Sequence, residues 1–399
     1  MDSHTATPNA GPDAGTLDAA VRSRYSEGAA RPVAELCCPT ERGDYDASLL
    51  EAIPEEVIAR DYGCGDPTRW LSEGETVLDL GAGAGKMCFL AAQIVGPEGR
   101  VIGVDMNDDM LAVAREAAPV VAERLGYGNV QFLKARIEDL ALDRDALDRH
   151  LAEHPVAGES DLAALERHVA ELRAKRPLVP DDSVDVVVSN CVLNLVMPER
   201  KRQLFAELFR VLKRGGRAVI SDIVCDEDVP ERLQADPELW SGCISGAFRE
   251  DAFLAAFEEA GFHGIEILAR GEQPWQVVEG IEFRSITVSA SKGKQGACLE
   301  QNHAVIYKGP WKSVQDDDGH TFHRGQRMAV CGKTHGLMTR APYAEQMIGV
   351  DPRTEIPESQ AAPFACTGTR VRHPRETKGE DYTADIAPEG DCCEPGECC

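Results

Sequence analysis

Val77-Leu78-Asp79-Leu80-Gly81-Ala82-Gly83-Ala84-Gly85 is the stretch on which the fold turns. With Thr76 in front, its first half is a short apolar run that suits a buried strand. The glycines then make a turn, and a helical stretch follows over residues 86–95. A second apolar run, Val101-Ile102-Gly103-Val104-Asp105, completes a strand–turn–helix–strand unit. Glycines at such a turn let the backbone approach a ligand closely. Their spacing is G-x-G-x-G. A dinucleotide fingerprint would need another glycine at position 86, where Lys86 stands.

Reading outward, the pattern repeats. Residues 108–125 carry Met110, Leu111, Val113, Ala114, Ala117, Val120 and Val121 near the helical period, with Gly126 as a stop. Strands are predicted over 130–134, 184–189 and 217–221, and helices over 200–213 and 251–260. Alternation of this kind predicts an α/β fold with a doubly wound, mostly parallel sheet. Residues 141–180 carry Leu162, Leu165, Val169 and Leu172 on one face and read as an inserted helical pair. Residues 283–290 alternate like an edge strand.

Upstream, residues 1–20 read as disordered. A helical cap over 21–70, with helices at 17–29 and 47–61, carries Cys37, Cys38 and Cys64. The main domain covers 71–291. Residues 298–345 read as a small β module with Asp318-Gly319 as a hairpin turn. A flexible tail over 346–399 ends in Cys392-Cys393 and Cys398-Cys399.

Composition narrows the function. The chain has 399 residues and a net charge of -26, so nucleic acid and anionic membranes are poor partners. No apolar stretch is long enough to span a bilayer, and the N-terminus lacks the basic and apolar regions of a signal peptide. A cytoplasmic, monomeric protein is expected. In a reducing compartment the 14 cysteines are thiols rather than structural disulfides.

The glycine turn resembles that of the class I, Rossmann-like S-adenosylmethionine-dependent methyltransferases. By that resemblance Asp79, Gly81, Gly83 and Gly85 wrap the methionine and ribose of S-adenosylmethionine. Asp105 and Met106 end the second strand, where a carboxylate accepts the ribose hydroxyls. Ile137 and Glu138 follow the third, where the family contacts adenine. Tyr62 and Asn190 complete the implied cofactor set.

Four cysteines stand in distinctive settings. Cys38 or its neighbour Cys37 precedes the cofactor domain. Cys64 sits in Tyr62-Gly63-Cys64-Gly65, Cys191 in Ser189-Asn190-Cys191-Val192-Leu193-Asn194-Leu195, and Cys243 in Gly242-Cys243-Ile244-Ser245-Gly246-Ala247. Ligands of doubly wound sheets bind beyond the carboxyl ends of the strands, which places Cys191 beside the cofactor. These segments resemble the arsenite S-adenosylmethionine methyltransferases over roughly residues 17–290. The resemblance implies Cys64, Cys191 and Cys243 as arsenic ligands, the last two also holding a methylated intermediate, with an N-terminal cysteine, Cys38 or its neighbour Cys37, in redox and transfer steps. A reductant, thioredoxin or glutathione, is then implied to restore oxidised cysteines.

The chemistry agrees. Trivalent arsenic is soft, thiolates are the soft protein ligands, and three sulfurs leave one lone pair outward to attack a sulfonium methyl. No general base is required. The competing readings are a methyltransferase of a quinone or sterol with incidental cysteines, and a metalloid-sequestering protein that transfers nothing.

Other cysteines read differently. Cys88, Cys225, Cys298, Cys331 and Cys366 suit the role of small buried hydrophobes. His320, His323, Cys331 and His335 offer a weaker zinc set. The terminal cysteine pairs suit a mobile thiol tail that captures arsenic.

Overall fold

The computed structural model describes residues 14–33, 45–366 and 368–383. Two compact units meet in sequence between Gly293 and Lys294. The first is built on a nine-stranded sheet. Its strands are β1 (Thr76–Leu80), β2 (Arg100–Asp105), β3 (Val130–Lys134), β4 (Val184–Asn190), β5 (Leu212–Cys225), β6 (Phe248–Arg249), β7 (His263–Arg270), β8 (Gln276–Val278) and β9 (Ile281–Ser291). The main order is β3-β2-β1-β4-β5-β9-β7. The first five run parallel, whereas β9 is antiparallel to both β5 and β7.

Two core layers follow from the pleat. Leu78, Leu80, Ile102 and Val104 face one side with Phe205, Phe253 and Phe257. Val77, Val101, Val186, Val188 and Val219 face the other with Phe89, Leu111 and Ala114. Burial on both faces explains why these strands read as continuous apolar runs rather than alternating ones.

The helices of this unit are α1 (Ala14–Ala30), α2 (Ala47–Leu50), α3 (Glu55–Ile58), α4 (Lys86–Val95), α5 (Asp108–Leu125), α6 (Arg144–Glu153), α7 (Glu159–Lys175), α8 (Pro198–Val211), α9 (Glu231–Gln234), α10 (Pro237–Ser241) and α11 (Glu250–Glu259). The inserted pair is α6 and α7, whose Leu147 and Leu172 pack with Leu142. Among the described residues no helix is long and apolar enough to cross a membrane.

Several expectations need correction. The single helix over 47–61 is two short ones, because Pro54 sits between them without a backbone N–H to continue the ladder. The strand over 283–290 lies inside the sheet, since β7, unread in the sequence, covers its outer side. Residues 14–20 are ordered, against the expectation for 1–20: α1 starts at Ala14, and Leu17 is 1% exposed against Val21, Met197 and Trp240.

The second unit holds β10 (Leu299–Glu300), β11 (Ala304–Tyr307), β12 (Ser313–Gln315), β13 (Thr321–His323), β14 (Arg327–Ala329), α12 (Gly332–Met338), β15 (Met347–Val350), β16 (Ala362–Pro363) and α13 (Pro374–Lys378). β11 is central, paired with β14 and β15, and Asp318-Gly319 lies in the turn between β12 and β13. Val305, Tyr307, Phe322, Met328, Met338 and Met347 form its core. A tail starting at residue 346 is therefore too early, because β15 completes the sheet and β16 pairs with β10. Pro and acidic residues along this stretch hide both short strands from a reading by periodicity.

Candidate active site

A cleft of about 1150 Å3, its open mouth included, lies at the carboxyl ends of β1, β2 and β4. Strand order reverses between β1 and β4, which is where such sheets bind ligands. Tyr62, Asp79, Gly81, Gly83, Asp105, Met106, Ile137, Glu138 and Asn190 all line it. Gly85 does not. It packs α4 onto the sheet, where an added Cβ would meet Phe132 at 2.7 Å.

Asp105 is built into the turn. Its carboxylate accepts the N–H of Gly83 at 2.9 Å and that of Asn107 at 2.8 Å. Burial pushes its pKa up even so. Asp79 accepts the Cys88 thiol at 3.1 Å, and burial raises it to about 7. That bond keeps Cys88 in the core, as read. Lys86 pairs with Asp61 and lies 3.6 Å over the Tyr45 ring.

These residues suit S-adenosylmethionine. A side chain at Gly83, whose φ is +51°, would enter empty space, so the turn leaves a cradle. The carboxylates of buried Asp79 and partly exposed Asp105 suit a cationic ligand with ribose hydroxyls. Ile137, Met106 and Val192 offer an apolar slot for a flat ring.

Cys191 lines the same cleft, and Cys64 and Cys243 pack behind it in one buried cluster. Cys64, Cys191 and Asp222 place their ligand atoms within 4.8 Å of one another. The Cys243 thiol donates to the Cys191 carbonyl at 3.2 Å, and the Tyr25 hydroxyl lies 3.8 Å from its sulfur. All three cysteines are buried, at 7%, 1% and 0% exposure. Cys37 and Cys38 lie outside the described residues, as do the terminal pairs.

Two asparagines hold this arrangement. Asn190 Oδ1 accepts the N–H of Cys64 at 2.8 Å and of Gly65 at 3.1 Å, while its Nδ2 donates to the Gly65 carbonyl at 2.8 Å. Gly63 permits that approach, since a Cβ there would sit 2.0 Å from Asn190 Nδ2. Asn194 Nδ2 donates to the carbonyls of Ile223 at 2.7 Å and Cys243 at 3.3 Å. Gly246 is equally tight, its Cβ position 2.0 Å from the Asn194 carbonyl. One motif thus carries the central cysteine and grips the loops bearing the other two.

The backbone is strained at two of these thiols. Cys191 has φ +65° and Cys243 φ +62°, a left-handed conformation that L residues resist. Non-glycine residues held there cluster at functional sites.

Asp222, Asn194 and Tyr25 belong to the site and were missed. Asp222 accepts the N–H groups of Leu193 and Ile223 at 2.8 Å each, and burial with the nearby Cys243 raises it to about 7. A carboxylate within the apolar run Val219-Ile220-Ser221-Asp222-Ile223-Val224 was the available signal. Burial also raises the Cys64 thiol. Cys225 donates to the Phe248 carbonyl at 3.2 Å and is structural.

Comparison with known proteins agrees with this geometry. A methyltransferase domain model matches residues 71–175 and 156–261, and a domain of unknown function (DUF8838) matches 294–382. An arsenite methyltransferase of Aquipseudomonas alcaligenes is 33% identical over 317 residues, covering 75% of this chain and 81% of that one. The Mus musculus arsenite methyltransferase is 28% identical over 368 residues, 89% of this chain and 87% of that one. The crystal structure of an arsenic(III) S-adenosylmethionine methyltransferase from Chlamydomonas reinhardtii superposes with a TM-score of 0.51 at 28% identity, covering 78% of this chain and 97% of that one. With its parallel sheet, its cofactor cradle and this likeness, the chain belongs to the arsenite methyltransferase family.

Proposed function

We propose that this enzyme detoxifies trivalent arsenic by methylating it while Cys64, Cys191 and Cys243 hold it. The observation that supports this most is that Cys191 lines the cofactor cleft and packs in one buried cluster with Cys64 and Cys243. Bound S-adenosylmethionine supplies an electrophilic methyl group.

The chain's own residues do the rest. Arsenite arrives neutral, and each As–S bond replaces an As–O bond. The thiol proton leaves with the hydroxyl as water, so the buried site gains no net charge. That suits a Cys64 thiol kept protonated by burial. Asp222, which titrates near neutrality beside the sulfurs, passes those protons on. Asn190 and Asn194 fix the loops so that the arsenic lone pair faces the cleft. Positioning of this kind is worth up to ~7–11 kcal/mol of barrier in favourable cases.

Arsenic that gains a methyl cation is formally oxidised by two electrons. A thiol pair closing to a disulfide returns them and releases two protons. Cys38 is the candidate partner thiol, and thioredoxin or glutathione reopens the disulfide. The enzyme works as a monomer in the cytoplasm.

The test is methyl transfer from labelled cofactor with and without arsenite. Arsenite-dependent methylated arsenic is expected. Transfer to a quinone or sterol without arsenite, or tight arsenite binding without transfer, would overturn the reading.

A further inference from the structure

The C-terminal unit brings together three cysteines that lie far apart in the sequence. Cys298 precedes β10 and Cys366 follows β16. Those strands pair antiparallel, with Leu299 opposite Pro363, and the Phe364 N–H donates to the Cys298 carbonyl at 2.8 Å. Cys331 caps the start of α12, its sulfur accepting the Thr334 N–H at 3.4 Å. Lys333 Nζ donates to the Gly296 carbonyl at 3.3 Å, which fastens α12 to the segment carrying Cys298. As a result the three sulfurs lie within 4.8 Å of one another.

Core packing does not account for this. Cys331 is buried, but Cys298 and Cys366 are partly exposed, so the cluster opens to solution. Nor do the histidines of the expected zinc set join it. His335 sits with His303 and Asp351, and His320 pairs with Asp316 at 2.8 Å. Among the described residues no fourth Cys, His, Asp or Glu belongs to the group.

We propose that Cys298, Cys331 and Cys366 form a second binding site for trivalent arsenic, carried wholly by the C-terminal unit. Structural zinc sites take four protein ligands, whereas arsenic(III) is three-coordinate and pyramidal with a lone pair on the open side. Three soft donors and one exposed face match the latter. Binding is a neutral exchange: three As–S bonds form, three As–O bonds break, the thiol protons leave in three waters, and nothing is oxidised. The choice of arsenic rests on the proposed function; the thiol cluster itself does not.

The experiment uses the full chain with Cys64→Ser, Cys191→Ser and Cys243→Ser, and with Cys37, Cys38, Cys392, Cys393, Cys398 and Cys399 also replaced by serine, loaded with sodium arsenite under a phosphine reductant. Arsenic retained per chain after desalting and the coordination seen by X-ray absorption are the readouts. Arsenic bound through three sulfurs is expected, with at least a tenfold weakening when Cys331→Ser or Cys366→Ser is added. Cys366 is partly exposed, so its variant keeps the test valid if the buried Cys331 substitution unfolds the unit. Unchanged arsenic content and coordination after Cys366→Ser would overturn the proposal. So would one tightly held zinc that arsenite fails to displace, or a Cys298–Cys366 disulfide that persists in reductant. A parent chain with Cys64, Cys191 and Cys243 intact that binds arsenic at the C-terminal cluster but methylates nothing would sink the catalytic reading and leave this one standing.

Discussion

Among the described residues two clusters of three cysteines occur, and they are built in different ways. At the end of β4, two of the three thiols sit on left-handed backbone, all are buried, and side-chain amides clamp their loops. In the C-terminal unit the sulfurs meet through ordinary strand pairing and a helix cap, without positive φ, and two remain partly exposed. Only the first has a cofactor cleft and a raised carboxyl group beside it. Strain, burial and a proton acceptor are what chemistry needs, whereas capture needs only sulfur spacing and access.

The largest effect should come from the first cluster alone. Cys191→Ser is expected to lower arsenite methylation about a thousandfold or more, because the hold that orients the arsenic is lost. Cofactor affinity by calorimetry should stay within a few-fold. Full methylation by this variant would erase the distinction between the clusters. Next is Asp105→Ala, which removes charge-assisted bonds of about 1.5–3 kcal/mol each to a bound ligand. Cofactor affinity should fall about a hundredfold, while arsenic bound per chain stays unchanged.

Asn190→Ala probes the clamp. It strips partners from the N–H groups of Cys64 and Gly65 and from the Gly65 carbonyl. Loss of a buried partner costs about 1–3 kcal/mol, so a ten- to hundredfold fall in turnover with arsenite is expected, read with single-turnover kinetics.

The buried acids predict a pH effect confined to the catalytic unit. Asp79 and Asp222 titrate near 7 when folded, against an ordinary value of 3.8. The folded state therefore holds more protons between those values, and stability falls as pH rises from about 4 to about 7. Denaturant unfolding of Asp222→Asn should show a shallower slope than the parent. An unchanged slope would mean that Asp222 is charged when folded.

The smallest effect tests the strain. Glycine ordinarily costs ~0.5–1 kcal/mol relative to alanine in regular structure, but it relieves left-handed backbone. Cys191→Gly should thus be more stable than Cys191→Ala by about 1 kcal/mol. The ordinary order would remove strain from the account.

Much of the first cluster was legible in the sequence. Its cysteines lie in short motifs near strand ends, and the glycine turn orders the strands around them. What did not show was the clamp, since Asn190 bonds to a loop more than a hundred residues away and spacing carries no trace of that. Asp222 stood one residue past the strand read over 217–221, with no motif to mark it. The inner position of β9 was hidden because an alternating run reads alike with one neighbour or two. Cys298, Cys331 and Cys366 each stood singly, so no spacing linked them, and two-residue strands such as β10 and β16 are too short to leave a period.

The unequal tethering of the first cluster bears on how product escapes. Arsenic keeps a valence of three, so every carbon it acquires displaces one sulfur. Cys191 extends a central strand and Cys243 hooks directly onto it, whereas Cys64 rides on a separate loop secured by the Asn190 amide and the Tyr45 hydroxyl. On the proposed ligand set, each added methyl would cost the protein one sulfur tie, so that the progress of alkylation itself would set the moment of departure.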